Sequence, residues 1–108
     1  MNWREGFANS DDPLRKSDIL RAILAVTRST QEISDVVARM ETLPEGLQSH
    51  IAWDVVNNPS TTIDIYERVK CNPYLLANTS VENVQSAWLR ARDGNLTPRA
   101  PDVWQARS

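Results

Sequence analysis

The chain holds one cysteine and one histidine in 108 residues, and those two scarcities remove several chemistries at once. A lone Cys71 cannot close an intramolecular disulfide, and a single thiol fits a reducing compartment. With His50 the only imidazole beside that thiol, a zinc centre built from these residue types lacks ligands, and no metal or other cofactor is expected. The three glycines are scattered, so no glycine-rich loop is present to cradle a phosphate. No run approaches the roughly 18 apolar residues of a membrane span. The segment Met1-Asn2-Trp3-Arg4-Glu5-Gly6-Phe7 lacks the apolar core of a signal peptide, so a cytoplasmic protein is expected. Sustained polar–apolar alternation and an Asn-Gly hairpin are missing too, which leaves no need for strands.

Charge of either sign is in short excess. The formal net charge of −2 provides no global attraction to nucleic acid or to an anionic membrane. Acidic residues gather early, at Asp11, Asp12, Asp18, Glu41 and Glu45, while the last stretch leans basic through Arg90, Arg92, Arg99 and Arg107. At 41% hydrophobic and 24% charged residues the composition is that of one folded domain with a modest core.

What the chain has in quantity is helix punctuation. Asp12 before Pro13 is an N-cap with proline at the first helical position, and Ile19, Leu20, Ile23, Leu24 and Val26 follow as an apolar face, giving a helix over 13–27. Ser29-Thr30-Gln31-Glu32 reads as a capping box opening a helix over 30–41, with Ile33, Val36, Val37 and Met40 on one side. Thr42-Leu43-Pro44-Glu45 reads as a second box, before a helix over 43–57. There Leu47, Ile51, Ala52, Trp53, Val55 and Val56 leave only His50, Asp54 and Asn57 as a polar strip. A helix apolar nearly all round packs on more than one side, so this one is expected at the centre. Asn57-Asn58-Pro59 ends it, since the residue before proline avoids the α region. Ser60 or Thr61 then opens a helix over 60–70, which Cys71-Asn72-Pro73 closes. Tyr74 to Ala77 suffices for a single turn, and Thr79-Ser80-Val81-Glu82 reads as a third box before a helix over 79–92. The expectation is all-α: about five helices packed as antiparallel hairpins in a solenoid-like stack or compact bundle. Residues 1–11 form an irregular arm, 12–94 the helical domain, and 95–108 an irregular tail.

One stretch is more specific. Ala52, Val55, Asn58, Pro59, Thr61, Ile65, Tyr66 and Val69 fall on positions of a unit in which a buried helix ends in Asn-Pro and a hydroxyl-rich turn leads into an acidic, apolar helix. In this it resembles the leucine-rich repeat variant family. Leu75-Leu76-Ala77-Asn78-Thr79-Ser80 looks like a degenerate further copy, and Thr62 and Ile63 depart from the prolines usual after the turn. The resemblance implies a right-handed helical stack that presents a surface to another macromolecule, and no catalysis.

The residues that could carry chemistry or recognition are few. His50 and Asp54 stand four apart and can meet on one helix face as a polar pair; no third catalytic member accompanies them, so an enzyme is not expected. Cys71 reads as inert. Trp53 and Trp88 lie on apolar stripes and belong to the core, whereas Trp3 and Trp104 sit in the irregular ends and are free to serve a partner. The favoured reading is a non-enzymatic module that binds another protein, as an inhibitor, immunity or antitoxin-type protein or an adaptor, with Trp3, Trp104, His50 and Asp54 as its contacts. The alternative is a nucleic-acid-binding regulator using Arg90, Arg92 and Arg99.

Overall fold

A computed structural model of the protein describes residues 2–93, and among them the chain is entirely helical, without strands. Seven helices follow in order: α1 Trp3–Asn9, α2 Pro13–Val26, α3 Thr30–Met40, α4 Glu45–Val56, α5 Ile63–Val69, α6 Pro73–Leu76 and α7 Val81–Asp93. The five expected helices correspond to α2, α3, α4, α5 and α7, and the single turn near Tyr74 is α6. Gly94 and the expected tail over 95–108, with Arg99 and Trp104, lie outside the described residues.

The arm expected to be irregular is a helix. Asn2 caps α1 by accepting from the Arg4 amide at 3.0 Å, and Trp3 and Phe7, four apart, fall on one face. Phe7 is buried and Trp3 half-buried against the core. Seven residues are too few for a periodic pattern to stand out, and too few to hold a helix without tertiary contacts.

Caps were read correctly in kind and less well in position. Asp12 caps α2 and Ser29 caps α3 as expected. The Glu32 carboxylate, however, does not close the box onto the Ser29 amide. It accepts a short hydrogen bond from the Thr27 hydroxyl, which in turn accepts from the Ser29 amide. Thr42 caps nothing: its hydroxyl donates to the Arg39 carbonyl, and α4 begins after Pro44 with no side-chain cap. Ser80, not Thr79, accepts from the Asn83 amide at the start of α7. Helix α5 is capped by Thr62, which directly precedes it, while the Thr61 hydroxyl and the Ser60 backbone are engaged elsewhere.

That engagement holds the centre of the fold. Asn58 is buried after α4; its amide donates to the carbonyls of Leu24 at 2.9 Å and Thr27 at 3.1 Å, closing the C-terminal end of α2. Its side-chain oxygen accepts from the Ser60 amide at 2.8 Å. Thr61, fully buried, donates to the Val55 carbonyl at 2.6 Å and so satisfies the end of α4. Carbonyls at helix ends have no partner within their own helix, and burying them bare is costly. The Asn-Pro turn therefore serves two helix ends at once. Further along, Asn78, after α6, donates to the Ser49 hydroxyl on α4 at 2.9 Å. In both turns an asparagine amide reaches back to the previous helix of the same row.

The rows follow from which helices touch. Helix α4 contacts α2, α3, α5, α6 and α7, while α3 also contacts α5. One row is α2–α4–α6; α3 and α5 lie together in the other. Ile51, Ala52, Val55 and Val56 of α4 are fully excluded from solvent, alongside Leu20, Ile33, Val36, Val37, Val69 and Val84. Tyr66 and Trp88 stack with ring centres 4.2 Å apart and join α5 to α7. No helix among the described residues is long and apolar enough to cross a membrane.

Candidate functional site

Because α4 has neighbours on almost every side, only a narrow strip of it meets solvent. Gly46, His50 and Asn57 are exposed and Trp53 and Asp54 half-buried, a set spaced at helical intervals along one edge. This is the polar strip read from the sequence, with two additions, Gly46 and Trp53. Trp53, expected in the core, instead lies at its margin, packed against the core on one side and open on the other.

Two recesses flank the strip. On the α2 side, a cleft of about 570 Å³ is lined by Asp18, Arg21, Ala25 and Arg28 from α2 and the turn beyond it, and by Asp54, Asn57 and Asn58 across from them. On the α6 side, a groove of about 590 Å³ is lined by Gly46, Ser49, His50 and Trp53 of α4 and by Leu75, Asn78 and Thr79. Since His50, Trp53, Asp54 and Asn57 follow one another along the same edge, the recesses form one surface across the α2–α4–α6 row.

The expected His50–Asp54 pair is not formed. Asp54 instead accepts from Arg21 Nε at 2.7 Å, and this hydrogen bond, together with the charge of Asp54 and the more distant charge of Asp18, raises the already high pKa of the guanidinium. Arg21 wins because its guanidinium carries a permanent charge and several directed donors that match a carboxylate. His50 is left exposed at the mouth of the other groove. The wall of that groove is stiffened by side chains that bond to one another. Asn78 holds Ser49, and Asn72 donates to the Gln48 side-chain oxygen at 3.1 Å. Tyr74 bonds Glu45, which raises the phenol pKa chiefly through that hydrogen bond.

Trp3 stands apart from this surface. Its indole N–H donates to Glu32 at 3.3 Å, and the guanidinium groups of Arg4 and Arg39 lie 4.5 and 5.2 Å from its ring centre. It ties α1 to α3 rather than hanging free in an irregular end. Trp104, the other terminal tryptophan, is outside the described residues. Arg90 and Arg92 are exposed on α7, with Arg92 lying 4.9 Å over the Trp88 ring; Arg99 is outside the described residues. Cys71, read as inert, is exposed at the end of α5 next to Lys70. Among the described residues no three His, Cys, Asp or Glu side chains come together to hold a metal ion. The half-open position of Trp53 is not expected from its apolar stripe, although its place beside the polar strip is visible in the spacing of His50, Trp53, Asp54 and Asn57.

Comparison with known proteins yields no match: no family model, no curated protein and no solved structure aligns with this chain.

Proposed function

We propose that this protein is a non-enzymatic protein–protein interaction module, built on a small helical-repeat stack similar to leucine-rich repeat variant proteins. Its working surface is the exposed edge of α4 with the recess on either side. The observation that carries the reading is the position of Trp53: a large aromatic half-open to solvent, on the helix with the most neighbours, beside a groove it shares with Leu75 and His50. Tryptophan in a partly dry, rigid setting is the residue type that dominates interface energetics. It is held on a helix, so little ordering is required when a partner docks. The opposite recess adds Asp18 and Arg28, which offer charge for orientation. A cytoplasmic location belongs to the same proposal, since an exposed lone thiol at Cys71 suits a reducing compartment.

Trp53→Ala and His50→Ala, tested by crosslinked co-purification from the source cell, are expected to reduce recovery of one stoichiometric partner, the tryptophan change by at least about tenfold. Thermal unfolding monitored alongside should show the fold retained. Recovery of the same partner at wild-type levels by both variants would refute the placement of the surface. A nucleic-acid regulator would behave differently: binding to random-sequence DNA would fall steeply with salt and would respond to Arg90 and Arg92 rather than Trp53.

A further inference from the structure

We propose that α1 is a releasable clasp, held on α2 and α3 by Phe7, Trp3 and Arg4 and let go as one unit when Glu32 and Asp35 are neutralised. The geometry separates this helix from the others. A linker of three residues, Ser10 to Asp12, joins it to α2. Its single buried side chain is Phe7, with Lys16 of α2 lying 5.0 Å over the ring. Trp3 adds apolar contact as it packs half-buried against the core, and the polar anchors end on two carboxylates of α3. Trp3 Nε1 donates to Glu32, and Arg4 donates to Asp35 through Nε at 3.0 Å and Nη2 at 2.6 Å.

Seven residues cannot hold a helix alone, and the entropy cost of ordering them exceeds what one buried phenylalanine and one half-buried tryptophan return on docking. The carboxylate anchors therefore decide whether α1 stays. The rest of the chain does not depend on α1 to the same degree, because the core residues of α4 find their neighbours in α2, α3, α5, α6 and α7. Segments with few buried contacts open first and open separately.

The charges around the anchor are mixed. From α1 come Arg4 and Glu5; α2 contributes Lys16; Thr27 and Arg28 follow its end; and Gln31 and Arg39 accompany the two acids on α3. Glu32 is held below the usual carboxylate pKa first by the Thr27 hydroxyl and then by the Trp3 N–H, and Asp35 first by its bond from Arg4. Groups whose pKa is lowered by folding add stability that is complete above their unfolded values of about 4 and disappears as pH falls through the lowered folded values. Release is thus an acid response. His50, the one histidine, is on the other side of the chain's hub at the α6 groove and does not enter.

Hydrogen exchange read by mass spectrometry on the full chain tests this. In the double variant Glu32→Gln, Asp35→Asn at neutral pH, amides of Gly6 to Ser10 should exchange about tenfold faster or more than in wild type. Amides of Ile51 to Val56 in α4 should keep their protection. In wild type the same α1 amides should lose protection between neutral pH and pH 3.5, after correction for intrinsic exchange, and this step should be absent from the double variant. Unchanged α1 protection in the variant would overturn the proposal. So would a parallel loss in α4, because α1 would then be an integral part of the core.

Discussion

Ile51→Ala should cost roughly 2–5 kcal/mol, a large part of the roughly 5–15 kcal/mol that stabilises a domain of ordinary size. Ile51 is fully buried at the middle of α4, the helix that contacts five others, so no single neighbour can move in to fill the space. The expected result is a drop in midpoint of at least about 10 °C on heating, with a matching fall in denaturant midpoint at unchanged slope. A variant that unfolds near the wild-type midpoint would show that α4 is not the hub. Ile63→Ala is the comparison: Ile63 is 55% exposed at the start of α5, and its loss should change stability by no more than about 0.5 kcal/mol.

Asn58→Ala should come close to the same size, about 2–4 kcal/mol, for a different reason. The side chain is 3% exposed, donates to two carbonyls at the end of α2 and accepts from the Ser60 amide. Alanine would leave the Leu24 carbonyl without this donor and the Thr27 carbonyl with only the Arg28 guanidinium, and would free the turn that precedes Thr61. Asn58→Asp should be at least as damaging, since it replaces a donor with an acceptor facing two carbonyl oxygens. Pro59→Ala is the control: Pro59 is exposed and its ring is asked only to end a helix that Asn58 and Thr61 already terminate. Equilibrium unfolding in urea of the three variants orders them. If Asn58→Ala and Pro59→Ala proved equally mild, the turn would owe its shape to proline alone.

These two residues also show how far the sequence could be read. The isoleucine was legible because burial on several sides leaves a simple trace: Leu47, Ile51, Ala52, Val55 and Val56 cover most of a helical wheel. Asparagine before proline was legible as a stop signal, because that is a local steric matter. Its buried amide was not, since the carbonyls it serves belong to residues more than thirty positions earlier.

The candidate surface divides the same way. The polar strip of His50, Asp54 and Asn57 followed from periodicity, but periodicity cannot say which partner an exposed carboxylate chooses. Asp54 was assigned to His50, four residues away, and pairs instead with Arg21 of α2. Trp53 was placed in the core because its wheel position borders apolar residues; the end of α6 stops short of covering it. The segment around Trp3 is too short for a periodic pattern to stand out, and the acid that orders it comes from α3.

By itself, then, the sequence determined what depends on neighbours along the chain: the all-helical class, where α2, α3, α4, α5 and α7 run, which face of each is apolar, and that α4 lies at the centre. Hydrophobic spacing and local capping chemistry act over a few residues and are written in order. Tertiary structure alone decided that α1 is a helix, that helix ends are satisfied by distant side chains, and that two recesses meet along the edge of α4. Each of these depends on groups far apart in sequence finding one another, and a folding chain makes those choices by burial and charge pairing in three dimensions.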